Sequence, residues 1–292
     1  MPGVTYRTVS RAESGQKLLQ FLERQLRGQM PRSAIMRWIR TGQVRVDGGR
    51  CKPFQRIHQG QKVRLPPYSL QEDQSLSEDS ANPFALRRVH EDRDILVLAK
   101  PPNLASQPGT GVEDSVSDRL QAEFAGREWI PALVHRLDKA TSGLLLVAKS
   151  YSALQHVHTL WRSGKVDKIY LAWVWGHPDW PQWTHLQDEL SKSSEGRTKQ
   201  VRAEAWAKSI RLEAQASLVA VRLITGRKHQ IRLQLSRRDY PLIGDRKYGS
   251  GPGGGQGLLL HAAVLRWADR SYELIPPWQG QFAVHAEDMD ML

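Results

Sequence analysis

One stretch of this chain cannot contribute to a core, and it constrains the fold more than any other feature. After Pro66-Pro67-Tyr68, residues 69–82 are rich in Ser, Gln, Asp and Glu and carry almost no apolar side chains. Such a composition buries too little surface to offset the entropy of ordering, so it reads as a flexible linker. With the two prolines it divides the chain into a small unit over residues 11–66, an acidic linker over 67–82 and a large unit over 83–292. Charge follows the same division. The formal net charge is +12, and residues 1–70 set 14 Lys and Arg against Glu13, Glu23 and Asp47 alone. Residues 71–81 hold four acids and no base, and the remainder of the chain is only mildly basic. Positive charge concentrated in a short segment points to a polyanionic partner, nucleic acid ahead of an anionic membrane surface. A single cysteine, Cys51, excludes an internal disulfide. There is no signal-peptide pattern and no run of roughly 20 apolar residues, so a cytoplasmic protein outside the membrane is expected.

Within the small unit, Leu18, Leu19, Leu22 and Leu26 fall on one helical face, with Gly28 placed to end the helix. A second helix over 33–40 has Ile35, Trp38 and Ile39 as its apolar stripe, which directs Arg32, Arg37 and Arg40 elsewhere. Gln43–Val46, with Arg45, and Lys62–Leu65 alternate as two short strands, the first followed by the turn signal Asp47-Gly48-Gly49. Two helices, a small hairpin and outward arginines resemble the alpha-L RNA-binding domain, the module named after the fourth small-subunit ribosomal protein. By that resemblance Arg32, Arg37, Arg40 and Arg45 bind RNA. One departure is Leu19-Gln20, where the pattern often has an acid.

The large unit alternates apolar runs with helical patterns. Strands are expected at 95–99, 144–148, 170–175, 203–207 and 217–223, and helices at 116–125, 152–163 and 229–236. The fold class predicted is α+β around a large, mostly antiparallel sheet. Gly249–Gly257 reads as a loop, without the spacing or the lysine of a phosphate loop.

Four strings carry chemistry. In Val134–Gly143 (VHRLDKATSG), charged and small polar residues crowd a turn just before a core strand. By spacing alone, Asp138 either caps that turn or does chemistry there. Tyr170, in KIYLAWVWG, could simply be core. The charges of TGRKHQIR (225–232) could be a helix start facing solvent. HRLDKATSG, however, resembles the signature of the RluA-type pseudouridine synthase family, KIYLAWVWG its second motif and TGRKHQIR its third. The resemblance implies that Asp138 is the catalytic aspartate and that Arg136 helps hold the target base out of the RNA. It implies further that Tyr170 packs on the uracil, that Arg232 pairs with Asp138, and that Arg227 and His229 shape the site or contact phosphate. The fourth string, Pro241–Gly249 with Leu258–Ala262, looks like closing motifs without a catalytic role, and Lys100-Pro101-Pro102 like a structural first motif.

The order of basic module, acidic linker and HRLD unit resembles the members that modify the large ribosomal subunit. The implied reaction cuts the bond from uracil nitrogen 1 to ribose, rotates the base and rejoins it through carbon 5. It is redox-neutral, so no cofactor is expected, and no metal-ligand spacing or dinucleotide fingerprint occurs. A structured RNA is the expected partner, ribosomal ahead of transfer RNA, for a monomeric enzyme. An RNA-binding factor without activity and a hydrolase built on Asp138 and His135 are the competing readings. The second lacks an evident companion carboxylate, since neither Asp94 nor Asp245 is obviously close in sequence.

Overall fold

The computed structural model describes residues 3–26, 30–68, 85–109, 111–194, 197–249 and 257–292. Gly28, nearly all of the acidic linker and most of the Gly249–Gly257 loop lie outside these residues. In the small unit, β1 (Thr5–Thr8), α1 (Leu18–Gln25), α2 (Arg32–Arg40), β2 (Arg45–Val46) and β3 (Lys62–Leu65) follow in order. The strands form an antiparallel sheet in the order β1-β3-β2. The predicted stripes do bury: Leu18, Leu19, Leu22, Leu26 and Ile35 are at most 2% exposed, and Trp38 and Ile39 join them around Val44, Val46, Val63 and Leu65. Arg32, Arg37 and Arg40 are left on the exposed side of α2. The unit starts earlier than expected, because β1 pairs with β3 from Thr5↔Leu65 to Thr8↔Lys62.

The large unit runs β4 (Arg88–Glu91), β5 (Ile95–Lys100), α3 (Val116–Glu123), β6 (Ala132–Leu133), β7 (Ser142–Ala148) and α4 (Tyr151–Arg162). It continues with β8 (Asp167–Trp175), β9 (Thr184–Ser194), β10 (Arg197–Leu212), β11 (Ala216–Leu223), α5 (Gln230–Ser236), β12 (Leu260–Trp267), β13 (Arg270–Glu273) and α6 (Ala286–Asp290). A ten-stranded sheet has the order β4-β5-β7-β12-β8-β11-β10-β9, with β13 added to β12 and β6 to β7. The β7–β12 pair is parallel and the other described pairs are antiparallel. The central strands read as unbroken apolar runs because both faces are covered. Leu145, Val147, Tyr170, Ala172 and Val174 pack on the side that receives α3 and α5. Their neighbours Leu144, Leu146, Ile169, Leu171 and Trp173 pack on the opposite side, under α4 and the chain around Phe282 and Met289.

The two units touch. The Tyr151 N–H donates to Ala12 O at 2.9 Å. The Arg24 guanidinium lies 3.6 Å from the Trp129 ring centre and donates to Ile130 O. Burial at this contact draws the Arg24 pKa down to about 10, against the pull of Glu13. Among the described residues no helix is long and apolar enough to cross a membrane.

Candidate active site

Asp138 lies in the loop that delivers the chain from β6 into β7. Its carbonyl accepts the Thr141 N–H at 3.0 Å, closing a four-residue turn. Two buried side chains fix that turn from below. Ser106 Oγ donates to Leu137 O (2.7 Å) and accepts the Leu137 N–H (3.0 Å). Lys100, 2% exposed, donates through Nζ to Pro101 O, Leu104 O and Lys139 O at 2.8, 2.7 and 3.2 Å. Burial pulls the Lys100 pKa down to about 7, with the charge of Asp138 opposing. Three carbonyl acceptors together call for the three hydrogens of an ammonium. Beyond the turn, Gly143 has φ +116° and passes against the Ala262 backbone of β12. Asp138 thus sits where the parallel β7–β12 pair opens, with its side chain 29% exposed.

Three side chains surround the carboxylate. Tyr170 of β8 is 9% exposed, and burial followed by the charge of Asp138 raises its phenol pKa. The ring is therefore a neutral, rigid wall. His229, the N-cap of α5, holds a left-handed backbone (φ 54°) and puts Nε2 3.9 Å from Asp138 Oδ2. Its Nδ1 meets the Tyr248 hydroxyl at 2.9 Å. Burial, with Arg232, Lys247 and Lys228 nearby, lowers the His229 pKa against the opposing charge of Asp138. The neutral ring is best served when Tyr248 donates to Nδ1, which turns Nε2–H toward the carboxylate.

Arg232 departs from expectation. Its guanidinium does not pair directly with Asp138: Nε donates to Asp245 Oδ2 at 2.7 Å and Nη2 to Asp245 Oδ1 at 2.6 Å. A bidentate carboxylate already buried to 1% side-chain exposure outcompetes one at the open rim. Asp138 acts on Arg232 through charge at longer range. Asp245, set aside in the sequence as not obviously close, is thus part of this cluster. His135 is not. It accepts the Leu146 N–H at Nε2, stacks on Trp161 at 4.8 Å, and burial drives its pKa down to about 3. That geometry leaves it a neutral framework group and removes the basis for a hydrolase using it.

The remaining expected residues scatter around the rim or lie in the small unit. Arg136 and Arg227 are exposed, and Arg227 Nε donates to Arg202 O at 3.0 Å. Arg37 and Arg40 are exposed, Arg32 is exposed and ion-paired with Glu23 at 2.7 Å, and Arg45 Nε is tied to Gly42 O at 2.8 Å. Lys100, Ser106, Asp245 and Tyr248 were not singled out from the sequence as site residues. The one available signal was a lysine ending the apolar run ILVLAK, where a charge is expensive unless it is held.

A carboxylate at an open rim, a buried tyrosine and a clamped guanidinium thus lie together on one face of a large mixed sheet. Comparison with known proteins gives the family. The chain belongs to the RNA pseudouridylate synthase family, whose model matches residues 94–237. It is 36% identical over 292 residues to the Ribosomal large subunit pseudouridine synthase C of Escherichia coli (strain K12), covering 91% of this chain and 89% of that protein. The protein of the same name in Haemophilus influenzae is 35% identical over 282 residues, covering 89% of this chain and 86% of that one. Among solved structures, Human RNA Pseudouridylate Synthase Domain Containing 4 matches with a TM-score of 0.55 at 23% identity, over 65% of this chain and 88% of that one. Human RNA Pseudouridylate Synthase Domain Containing 1 matches at 0.53 and 22%, over 68% and 86%. These two bear on the fold, which is that of a pseudouridine synthase. The chain is a pseudouridine synthase enzyme.

A pH prediction arises here. Protonating His229 would turn the 3.9 Å approach into an ion pair that engages Asp138. The ring faces Asp138 and Tyr248, with Arg232, Lys247 and Lys228 adding positive charge around it. Because the His229 pKa lies below its ordinary 6.5, the wild-type rate should hold at neutral pH and fall on the acid side of 6.5. In His229→Gln that acid limb should shrink in a pH profile of kcat/KM.

Proposed function

We propose that this protein isomerises uridines of large-subunit ribosomal RNA to pseudouridine, with Asp138 as the reacting carboxylate and no cofactor. The single observation that carries the substrate is that similarity to proteins named for the large ribosomal subunit runs through about nine-tenths of the chain, basic unit included. The geometry supports the chemistry. An everted uracil would lie against Tyr170 with its glycosidic bond facing Asp138, the eversion costing a few kcal/mol. Whether the carboxylate attacks sugar or base, or removes a sugar proton, it must be open to the base and held in one orientation. Exposure at the rim and a clamped turn meet both needs. Arg136 fills the space the base leaves, and Arg227 and His229 line the rim toward phosphate. Arg232 lends positive charge beside Asp138.

In this reading the small unit is an alpha-L-type RNA-binding domain, and the enzyme works as a monomer in the cytoplasm. Arg37 and Arg40, exposed on α2, meet phosphate, with Arg45 and Arg32 flanking them. Each phosphate contact adds roughly 0.7–0.9 to the slope of log affinity against log salt. The Arg37→Gln/Arg40→Gln variant should therefore bind ribosomal RNA more weakly and lower that slope by about 1.5. An unchanged slope would remove α2 from the interface. The substrate is tested by tritium release from carbon-5-labelled uridine in transcripts of large-subunit ribosomal RNA and of transfer RNA. Release from the first and not the second is expected; the reverse would overturn the assignment.

A further inference from the structure

The Pro241–Gly249 string was expected to have no catalytic role, yet one of its side chains holds two of the groups that face Asp138. Asp245 is a carboxylate with 1% side-chain exposure that accepts four hydrogen bonds. Oδ2 takes Arg232 Nε at 2.7 Å. Oδ1 takes Arg232 Nη2 at 2.6 Å, the Lys247 N–H at 2.9 Å and the Tyr248 N–H at 3.1 Å. The Gly249 N–H returns to Asp245 O at 3.0 Å, so the loop closes on the residue at both ends. Burial would raise the pKa of this carboxyl, but Arg232 and the two amides outweigh it and hold it low.

What Asp245 holds is informative. The Nε–Nη2 edge of Arg232 is spent on it, and Nη1 carries no hydrogen bond among the described residues. The guanidinium is thereby fixed over the Tyr248 ring, 5.1 Å from its centre, where its charge acts on Asp138. The same carboxylate pins the backbone of Tyr248, whose hydroxyl holds His229 with Nε2 3.9 Å from Asp138. Both routes from Asp245 end at the same carboxylate. Asp245 itself is too buried to meet RNA.

We infer that Asp245 is a positioning residue for the isomerisation: its carboxylate orients Arg232 directly, and His229 through Tyr248, against Asp138. This rests on Asp138 being the reacting group. Misplacement of about 1 Å in such a site costs on the order of 100-fold in rate. Asp245→Asn, which keeps the shape and removes the charge, should lower kcat for tritium release from ribosomal RNA by about that factor, with KM within about 3-fold. Its acid limb should also move, because His229 loses its support. Tyr248→Phe keeps the ring and removes only the hydroxyl, so it should fold and shift the acid limb in the same sense. If Asp245→Asn does not fold, Tyr248→Phe decides alone. Wild-type kcat and pH profile in the variants that fold would overturn the inference. Were the wild-type protein to release no tritium from any RNA, the assigned reaction would fail instead, so the two failures are separable.

Discussion

Asp138→Ala should reduce kcat/KM for tritium release by at least about 10⁴-fold, the scale on which removing a reacting group silences an enzyme. RNA affinity should stay within about 3-fold, because contacts to phosphate supply most of it. The structure explains why the two effects separate. The turn is made by the backbone carbonyl of Asp138 and clamped by Ser106 and Lys100 from neighbouring segments. Among the described residues the carboxylate makes no close ion pair, its nearest being the 3.9 Å approach to His229. Truncation at Cβ therefore removes the carboxylate and leaves its support. A melting temperature equal to the wild type would verify this in the same sample. Residual turnover above about one per cent would mean that the rate does not depend on this carboxylate as argued.

Gly143→Ala should be the most damaging single methyl. Gly143 has φ +116°, which L side chains rarely adopt. A Cβ there would lie 2.5 Å from Ala262 N and closer still to Ala262 O, both backbone atoms of the strand paired with it. Neither can swing aside as a flexible side chain would. β7 and β12 sit at the middle of the ten-stranded sheet, locked beside this point by Ser142 Oγ to His261 Nδ1 at 2.8 Å. Backbone strain and overpacking each cost about 1–3 kcal/mol, so a loss of roughly 4 kcal/mol is expected. That is a large share of the 5–15 kcal/mol typical of a folded protein. Thermal unfolding should show a fall of roughly 10 °C, or no soluble protein. A shift of only a degree or two would show that β7 and β12 can separate at no cost.

The elements that the sequence revealed were those whose pattern answers to burial alone. The stripes of α1 and α2 sit where their spacing puts them, and the runs at 95–99 and 144–148 are strands buried on both faces. The β9–β10 hairpin was mostly invisible because THLQDELSKSS is polar and gains order by pairing along its length, from Ala207↔Thr184 to Arg197↔Ser194. β1 was missed because four residues, three of them exposed, carry no usable period. At the site, a resemblance drew attention to Asp138, Tyr170 and Arg232 but assigned the arginine to Asp138, whereas its guanidinium is held by Asp245. That choice is tertiary. Asp245 lies thirteen residues beyond Arg232 and wins because its loop buries it with both oxygens aimed at the guanidinium fork. Lys100 escaped notice as a site residue for a related reason: its acceptors are backbone carbonyls, which no side-chain pattern reports.

Pseudouridine mapping at nucleotide resolution across ribosomal and transfer RNA, in cells lacking this gene, tests the central claim most directly. Pseudouridine should vanish at defined large-subunit positions, return with the wild-type gene and stay absent with Asp138→Ala. An unaltered large-subunit map, or full restoration by Asp138→Ala, would contradict the account.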